Sequence, residues 1–162
     1  MTNREQSRTI LAWLAVGGWI ALITTLSGEG FSEDSTSRFI GPLLDWLFPD
    51  ASPEAIDTLH DAIRKTAHAV EYATLAILAC RAIRSSVPSG PRGHAALAMT
   101  LVLAIAAADE TRQSILPGRD GTLWDAALDG LGGATGVGLF FAYRTRRIRK
   151  AERSPVPRPG SH

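Results

Sequence analysis

The sequence has 162 residues, a length typical of one domain, and a formal net charge of +1. Its one cysteine, Cys80, excludes an internal disulfide bond. The mean hydropathy is near neutral, as in a soluble protein, but the apolar residues are concentrated in a few long runs. The average therefore hides segments that are apolar enough to enter a lipid bilayer.

Four of these segments predict membrane-spanning helices. The first, Ile10–Leu26, is uncharged over seventeen residues, which is near the lower limit for a span. A soluble helical bundle is the alternative, and the near absence of a polar face in this segment argues against it. A signal peptide is a second alternative, but the apolar run is longer than most such regions, which favours a retained helix. We predict helices over residues 9–26, 53–83, 94–115 and 123–143, in a single domain (1–150) followed by a disordered tail (151–162).

The segment between the first two spans predicts a loop with a short helix at the membrane interface. Residues 27–37 are polar, whereas Phe39–Phe48 is apolar with one acid and is too short to span. Ser52 followed by Pro53 then marks a helix start. The helix that begins there is amphipathic in its first half. We expect its apolar face to carry Ile56, Leu59, Ile63, Ala67 and Val70, and its polar face to carry Asp57, Asp61, Arg64, Lys65, His68 and Tyr72.

The basic residues predict the orientation of these helices. They precede the first span, flank the connection between the second and third, and follow the fourth: Arg4, Arg8, Arg81, Arg84, Arg92, Arg144, Arg146, Arg147, Arg149, Lys150 and Arg153. Cytoplasmic loops of membrane proteins carry an excess of such residues. Both termini are therefore expected in the cytoplasm. The basic run after the fourth span is typical of an anchor on anionic lipid rather than of a nucleic-acid site.

Polar side chains collect at the other, extracytoplasmic ends of three predicted helices. The third helix ends with Asp109, Glu110 and Gln113 after the uncharged run Ala95–Ala108. Charges cost several kcal/mol at the centre of a span, about 2.5–3.5 each, so these acids must face water, protein or substrate. The topology brings together His68, Glu71, Tyr72, Asp109, Glu110 and Gln113 as candidate catalytic residues, and Arg64, Lys65, Arg119, Asp125 and Asp129 as candidate substrate-binding residues.

The same residues carry a resemblance to the VanZ-like membrane proteins. The motifs are RKTAHAVEY at 64–72, DETRQ at 109–113, PGRDG at 117–121, then Asp125, Asp129 and the glycines from Gly132. Ser27 and Ser35 are similar, more weakly, to the serine-bearing segment of that family. The resemblance implies an outward-facing polar site in the bacterial inner membrane. The family is named for a protein that lowers susceptibility to the glycopeptide teicoplanin.

Three functions fit this set of residues. An enzyme acting on a lipid-linked or envelope substrate would use Glu110 or Asp109 as general base, with His68 as its acid/base partner. In that enzyme Arg64, Lys65 and Arg119 would hold a phosphate or carboxylate. A non-catalytic binder of lipid head groups, an envelope precursor or a lipoglycopeptide would need the same cations. A structural network would pair the charges with one another, with Arg119 joined to Asp125 or Asp129.

Cofactors and other partners are less constrained by the sequence. His68 and Glu71 with the two acids of the third helix could supply metal ligands, but three neighbouring cations oppose a metal ion, so we predict neither metal nor cofactor. Membrane lipids are the expected partners, and nucleic acid is not. The oligomeric state stays open.

Overall fold

The structure, a computed structural model, describes residues 2–27, 33–115 and 123–153. This part of the chain is all-α and contains no strand. It consists of α1 (Asn3–Leu26), α2 (Glu33–Leu47), α3 (Pro53–Ser86), α4 (Pro91–Ile115) and α5 (Leu123–Arg153). The predicted fold class is confirmed to that extent.

Two of the helix starts are fixed by local hydrogen bonds. Thr2 and Glu5 form a reciprocal capping box at the beginning of α1. The hydroxyl of Ser52 accepts a hydrogen bond from the backbone N–H of Ala55 at 3.3 Å, with Pro53 in the first turn of α3. The start predicted for this helix from the sequence is therefore confirmed.

The helices are longer than the sequence predicted. α1 begins six residues before the predicted start at residue 9, and α5 continues ten residues beyond Tyr143 to Arg153. α2 begins at Glu33, inside the stretch that we expected to be a loop. Charged residues end an apolar run but do not end a helix, so apolar runs mark the spans and underestimate the helices. The single domain over 1–150 stays a prediction, and residues 154–162 of the expected tail lie outside the described residues.

Contacts between the helices fix their relative directions. α1 runs antiparallel to α3, because the indole N–H of Trp13 donates to the Ser86 hydroxyl at 2.8 Å while that of Trp19 donates to the Glu71 carbonyl at 2.9 Å. α4 is also antiparallel to α3, since only residues 87–90 connect the two helices and the helices pack against each other.

α5, in contrast, is parallel to α3. A β-carbon on Gly132 would lie 2.9 Å from the Cα of Ala69, and one on Gly136 would lie 2.9 Å from the Cα of Ala73. The same contact thus recurs four residues later on both helices. It forms a seam in which only glycine leaves room for the facing backbone. The first turns of α3 also pack against α2, where Leu44 is buried. Gly132 and Gly136 thus allow α5 to approach the α3 backbone closely.

The buried face of α3 differs from the one predicted. Ile56 and Leu59 are half-buried, but Ile63 is 37 % exposed and Val70 59 % exposed. The inward face instead passes through buried His60 and Tyr72, with the predicted polar residues Arg64 and His68 half-buried along it. The glycine seam sets the rotation of α3 about its axis, and that rotation turns part of its polar side toward the other helices.

Two helices in the described part of the chain are long and apolar enough to cross a membrane, over residues 3–26 and 91–114. Only 17 % and 22 % of their most apolar windows are buried, so neither has the enclosure of a core helix in a soluble protein. α1 also contributes buried Val16 and Ile23 to the core. α3 and α5 are not among these candidates, and four spans remain a prediction.

Candidate functional site

The polar residues of α4 form a hydrogen-bonded group at the end of that helix. Gln113 donates to Asp109 at 2.7 Å, and Arg112 donates to the other oxygen of the same carboxylate at 3.2 Å. Asp109 and Gln113 are 5 % and 7 % exposed, because they lie on the side of α4 that packs against the other helices, chiefly α5 and α3. The carboxylate is therefore held in one position by two donors on its own helix.

Residues of α3 lie against this group. Tyr72 is fully buried, and its hydroxyl lies within electrostatic range of Asp109 and Glu110 from α4, of Asp129 from α5 and of Glu71 from its own helix. Glu71 is half-buried and lies within electrostatic range of Asp109. Three helices thus bring their carboxylates around one tyrosine.

α5 contributes Asp129, which is 1 % exposed. Its Oδ1 lies 3.7 Å from the Nδ1 of His68, close enough for an ion pair when the imidazole is protonated. The sequence named Arg119 as the partner of Asp129 or Asp125. Arg119 lies outside the described residues, and His68 is the described side chain that faces Asp129.

We call this group the polar site. It comprises His68, Glu71, Tyr72, Asp109, Glu110, Arg112, Gln113 and Asp129. All six candidate catalytic residues lie in it, together with Asp129 from the candidate substrate-binding set. Their predicted roles are not tested by the geometry and stay predictions.

Arg64 and Lys65 lie one turn away from the polar site and pair along their own helix. Both contact Asp61, Arg64 at 3.1 Å and Lys65 at 2.7 Å. Lys65 and Arg64 hold the pKa of the Asp61 carboxyl below its usual range, and Asp61 in turn raises the pKa of Lys65. Lys65 also lies within electrostatic range of Asp125. Their predicted role in holding an anion stays a prediction.

Two side chains at the polar site, Arg112 and Trp19, were not among the candidate residues selected from the sequence. Arg112, besides its bond to Asp109, donates to the backbone carbonyl of Thr24 at 2.8 Å and so joins α4 to α1. Trp19 donates from its indole N–H to the Glu71 carbonyl at 2.9 Å. The position of Arg112 three residues after Asp109 was the available signal, because residues at that spacing meet on a helix.

The serine segment is only partly described. Ser27, at the end of α1, is 1 % exposed, and nothing is described of the side chain of Ser35 within α2. Among the described residues no group of three or more histidine, cysteine, aspartate or glutamate side chains is arranged to hold a metal ion.

Three buried polar atoms of the site have no hydrogen-bond partner among the described residues: the hydroxyl oxygen of Tyr72, Oδ2 of Asp129 and Nε of Arg112. A buried polar group without a partner costs roughly 1–3 kcal/mol, so such atoms in a native protein require an explanation. The Tyr72 and Asp129 side chains are at most 1 % exposed and lie among the carboxylates described above. Within the described residues, these two atoms therefore leave hydrogen-bonding capacity at the centre of the site.

Comparison with known families identifies the chain. Residues 12–144 match the model of the VanZ/LLP1 family, a range that contains α2, α3 and α4 and most of α1 and α5. The chain belongs to the VanZ/LLP1 family. No match to this VanZ/LLP1 protein was found among curated proteins or among solved structures. Its two apolar helices and its family together indicate a membrane protein.

Proposed function

We propose that this VanZ/LLP1 protein spans the bacterial inner membrane four times and that its polar site binds the head group of a membrane or cell-envelope amphiphile. The spans would be α1, α3, α4 and α5. The alternation of direction among these helices supports this arrangement, since α1 and α4 run opposite to α3 and α5.

The same alternation supports an orientation. It gathers most basic residues of the described segments at one end of the bundle, whereas Arg64, Lys65 and Arg112 lie at the other end with the polar site. With the basic end in the cytoplasm, both termini are cytoplasmic and the polar site lies on the extracytoplasmic side. A head group could then enter the site while its apolar chain stays in the adjacent leaflet.

The orientation is testable by labelling single cysteines in spheroplasts. Cys80 is fully buried and gives a low background, whereas Ser52 and Ser89 are exposed at opposite ends of α3. A membrane-impermeant maleimide should label Ser52→Cys in intact spheroplasts and Ser89→Cys only after lysis. The reverse pattern would refute the orientation, and labelling of both from outside would refute the four spans.

The unused polar atoms of Tyr72 and Asp129 carry the binding proposal. Structural ion pairs would satisfy each other, whereas a ligand-binding site keeps donors and acceptors for its ligand. A head group that reaches these atoms would supply the missing hydrogen bonds, each worth about 0.5–1.5 kcal/mol, or more where a charge is involved.

The charge of the site favours a cationic head group. Four carboxylates, those of Glu71, Asp109, Glu110 and Asp129, are accompanied among the described residues of the site by one guanidinium and one imidazole. A protonated amine would reduce the repulsion among these acids and could donate to Asp129 and Tyr72. We therefore propose an amphiphile whose head group carries an amine.

A binding experiment with matched variants tests this proposal. The purified protein in an uncharged maltoside detergent is titrated with dodecylamine, with dodecanol and dodecyl sulfate as controls of equal chain length. Dodecylamine alone should raise the melting temperature. Tyr72→Phe should weaken its binding about five- to tenfold, the equivalent of one hydrogen bond, and Asp129→Asn by more because it also removes a charge.

Tyr72→Phe also separates binding from structure. Because the hydroxyl has no described partner, its removal should leave the stability of the empty protein unchanged or slightly higher. Tyr143, the other tyrosine of the chain, is 63 % exposed and lies toward the opposite end of α5, so Tyr143→Phe should change neither property. A destabilised Tyr72→Phe protein with unchanged amine binding would support the structural network instead.

Two further readouts address the finer alternatives. A binder returns the amphiphile unchanged, so a new product in the mass spectrum of the recovered lipid would show that the site is catalytic.

Teicoplanin susceptibility of cells that express the wild-type protein or Tyr72→Phe tests the effect that the family name implies. A difference between the two strains would connect the polar site to that effect.

A further inference from the structure

A second candidate site lies far from the polar site, between the later turns of α3 and α5. It is an open groove of about 420 Å³, within the range of small-molecule sites in proteins. Its lining residues are Ile77, Leu139, Phe140, Ala142, Tyr143 and Arg146. Eleven residues of α5 separate Asp129 from Phe140, or about 16 Å along the helix, so the groove is separate from the polar site.

The walls of the groove are apolar over most of their length. Phe140 packs against the buried cluster around Cys80 and sets its ring edge-to-face against Phe141, with centroids 5.3 Å apart. Ile77 faces it from α3, and Leu139 is 58 % exposed along the outer rim. This lining favours an aliphatic chain over a polar ligand.

Arginine side chains lie at one end of the groove. Arg146 lines it, and the guanidinium of Arg147 lies 5.7 Å from the centroid of the Tyr143 ring. Both arginines are exposed, and neither forms an ion pair within the described ranges 2–27, 33–115 and 123–153. Tyr143 thus lies where an apolar surface meets uncompensated positive charge, a setting typical of the membrane interface.

We propose that this groove binds one anionic phospholipid from the surrounding leaflet. An acyl chain lies along Ile77, Leu139 and Phe140, and the phosphate contacts the guanidinium of Arg146. Leu139 and Arg146 are seven residues apart on one helix face, which separates the chain from the head group by about 10 Å along α5. Charge complementarity at one end and the apolar walls identify the occupant, because zwitterionic lipid lacks the net charge and soluble phosphate lacks the chain.

The head group is tested with Arg146→Gln and a matched arginine on the same helix. The full-length protein is delipidated in maltoside detergent and titrated with phosphatidylglycerol or phosphatidylcholine while bound lipid is counted by native mass spectrometry. Arg146→Gln should weaken phosphatidylglycerol binding about fivefold, the effect of one basic residue near an anionic surface. Arg149→Gln, which removes an exposed arginine that does not line the groove, should change it less than twofold.

The acyl chain is tested by filling the groove. Ala142→Phe places a ring in the groove and should abolish the tight phosphatidylglycerol site, whereas Ala134→Phe adds the same ring at an exposed position outside it. Equal melting temperatures of the two variants would exclude a folding defect. Glycerol phosphate, which has the head-group charge without the chain, should not compete at concentrations that saturate the lipid.

Three results would overturn the proposal. Equal losses in Arg146→Gln and Arg149→Gln would indicate a diffuse basic surface without a defined site. Equal binding of the two lipids by the wild-type protein would remove the role of charge. Unchanged binding in Ala142→Phe would mean that the groove does not hold the chain. Loss of amine binding at the polar site would affect none of these measurements, so the two proposals can fail separately.

Discussion

The two ends of the α3–α5 pair carry charges of opposite sign in different environments. Around Tyr72 the acids face inward, with Asp109 and Asp129 only 5 % and 1 % exposed. At the other end Arg146 and Arg147 are exposed and have no ion-pair partner among the described residues. One set of charges lies inside the bundle and the other lies on its surface, although α5 contributes to both.

This difference has a physical origin in the two kinds of charge. A long arginine side chain can extend from an apolar surface into the aqueous interface, so it needs no partner inside the protein. The shorter aspartate side chain cannot reach that far, so Asp109 takes hydrogen bonds from Arg112 and Gln113. Substitutions at the acidic end should therefore act on folding and binding, whereas those at the basic end should act on contact with lipid.

The largest expected effect follows from removing the best-connected buried acid. Asp109→Ala removes the acceptor of Gln113 and one of the two acceptors of Arg112, and it should lower the free energy of unfolding by roughly 2–4 kcal/mol. Chemical denaturation in detergent, followed by circular dichroism, measures this loss. A loss below about 0.5 kcal/mol would contradict the view that the acids are held as a buried network.

The next largest effect is expected at the glycine seam between α3 and α5. A β-carbon at position 136 would meet the backbone of Ala73, so Gly136→Ala should cost about 1–3 kcal/mol or prevent folding. Gly138 on the same helix has open space around it, and Gly138→Ala should be neutral or stabilise by about 0.5–1 kcal/mol through helix propensity. Similar melting temperatures for the two variants would mean that α3 and α5 are not in close contact.

A smaller effect is expected at the basic end. Arg147→Gln removes an exposed guanidinium stacked on Tyr143 and should lower the free energy of unfolding by about 0.5–1 kcal/mol. The measurement is the same denaturation curve as for Asp109→Ala. If the two variants lost equal stability, the contrast between buried and exposed charges would be wrong.

The smallest effect concerns Asp61, which lies on α3 beyond the polar site. Its pKa is lowered by Lys65 and Arg64, so its stabilising contribution is complete above the usual pKa of an aspartate and is lost as the pH falls through the lowered value. Asp61→Asn should cost about 0.2–0.5 kcal/mol at neutral pH and nothing at strongly acidic pH. A cost that grew on acidification would have the wrong sign for this pair.

Much of the fold could be predicted from local sequence signals. The apolar runs located α1 and α4, Ser52 and Pro53 fixed the start of α3, and the spacing of Gly132 and Gly136 is typical of closely packed helices. Each of these signals acts over one or two helical turns and needs no knowledge of distant residues. The extra turns of α1 and α5 were not predicted, because hydropathy indicates contact with lipid. A helix continues wherever its backbone hydrogen bonds are satisfied.

The members of the polar site were predictable from motifs, but their pairing was not. His68 and Asp129 are 61 positions apart in the chain and meet at 3.7 Å only because α3 and α5 are parallel. Arg112 joined the site through a carbonyl of α1, and a backbone acceptor leaves no trace in a sequence. Contacts of this kind depend on how helices are placed beside one another.

The sequence by itself determined which segments are helical, which residues are too polar for lipid and which end of the bundle is basic, because these properties belong to each residue and its near neighbours. The tertiary structure decided which side of α3 faces inward. Periodicity favoured Ile63 and Val70, but the approach of Gly132 and Gly136 to the α3 backbone fixed a rotation that exposes them and directs Tyr72 toward the acids. The rotation of α3 depends on a backbone contact between segments that are distant in the sequence. Side-chain hydropathy carries no information on such a contact.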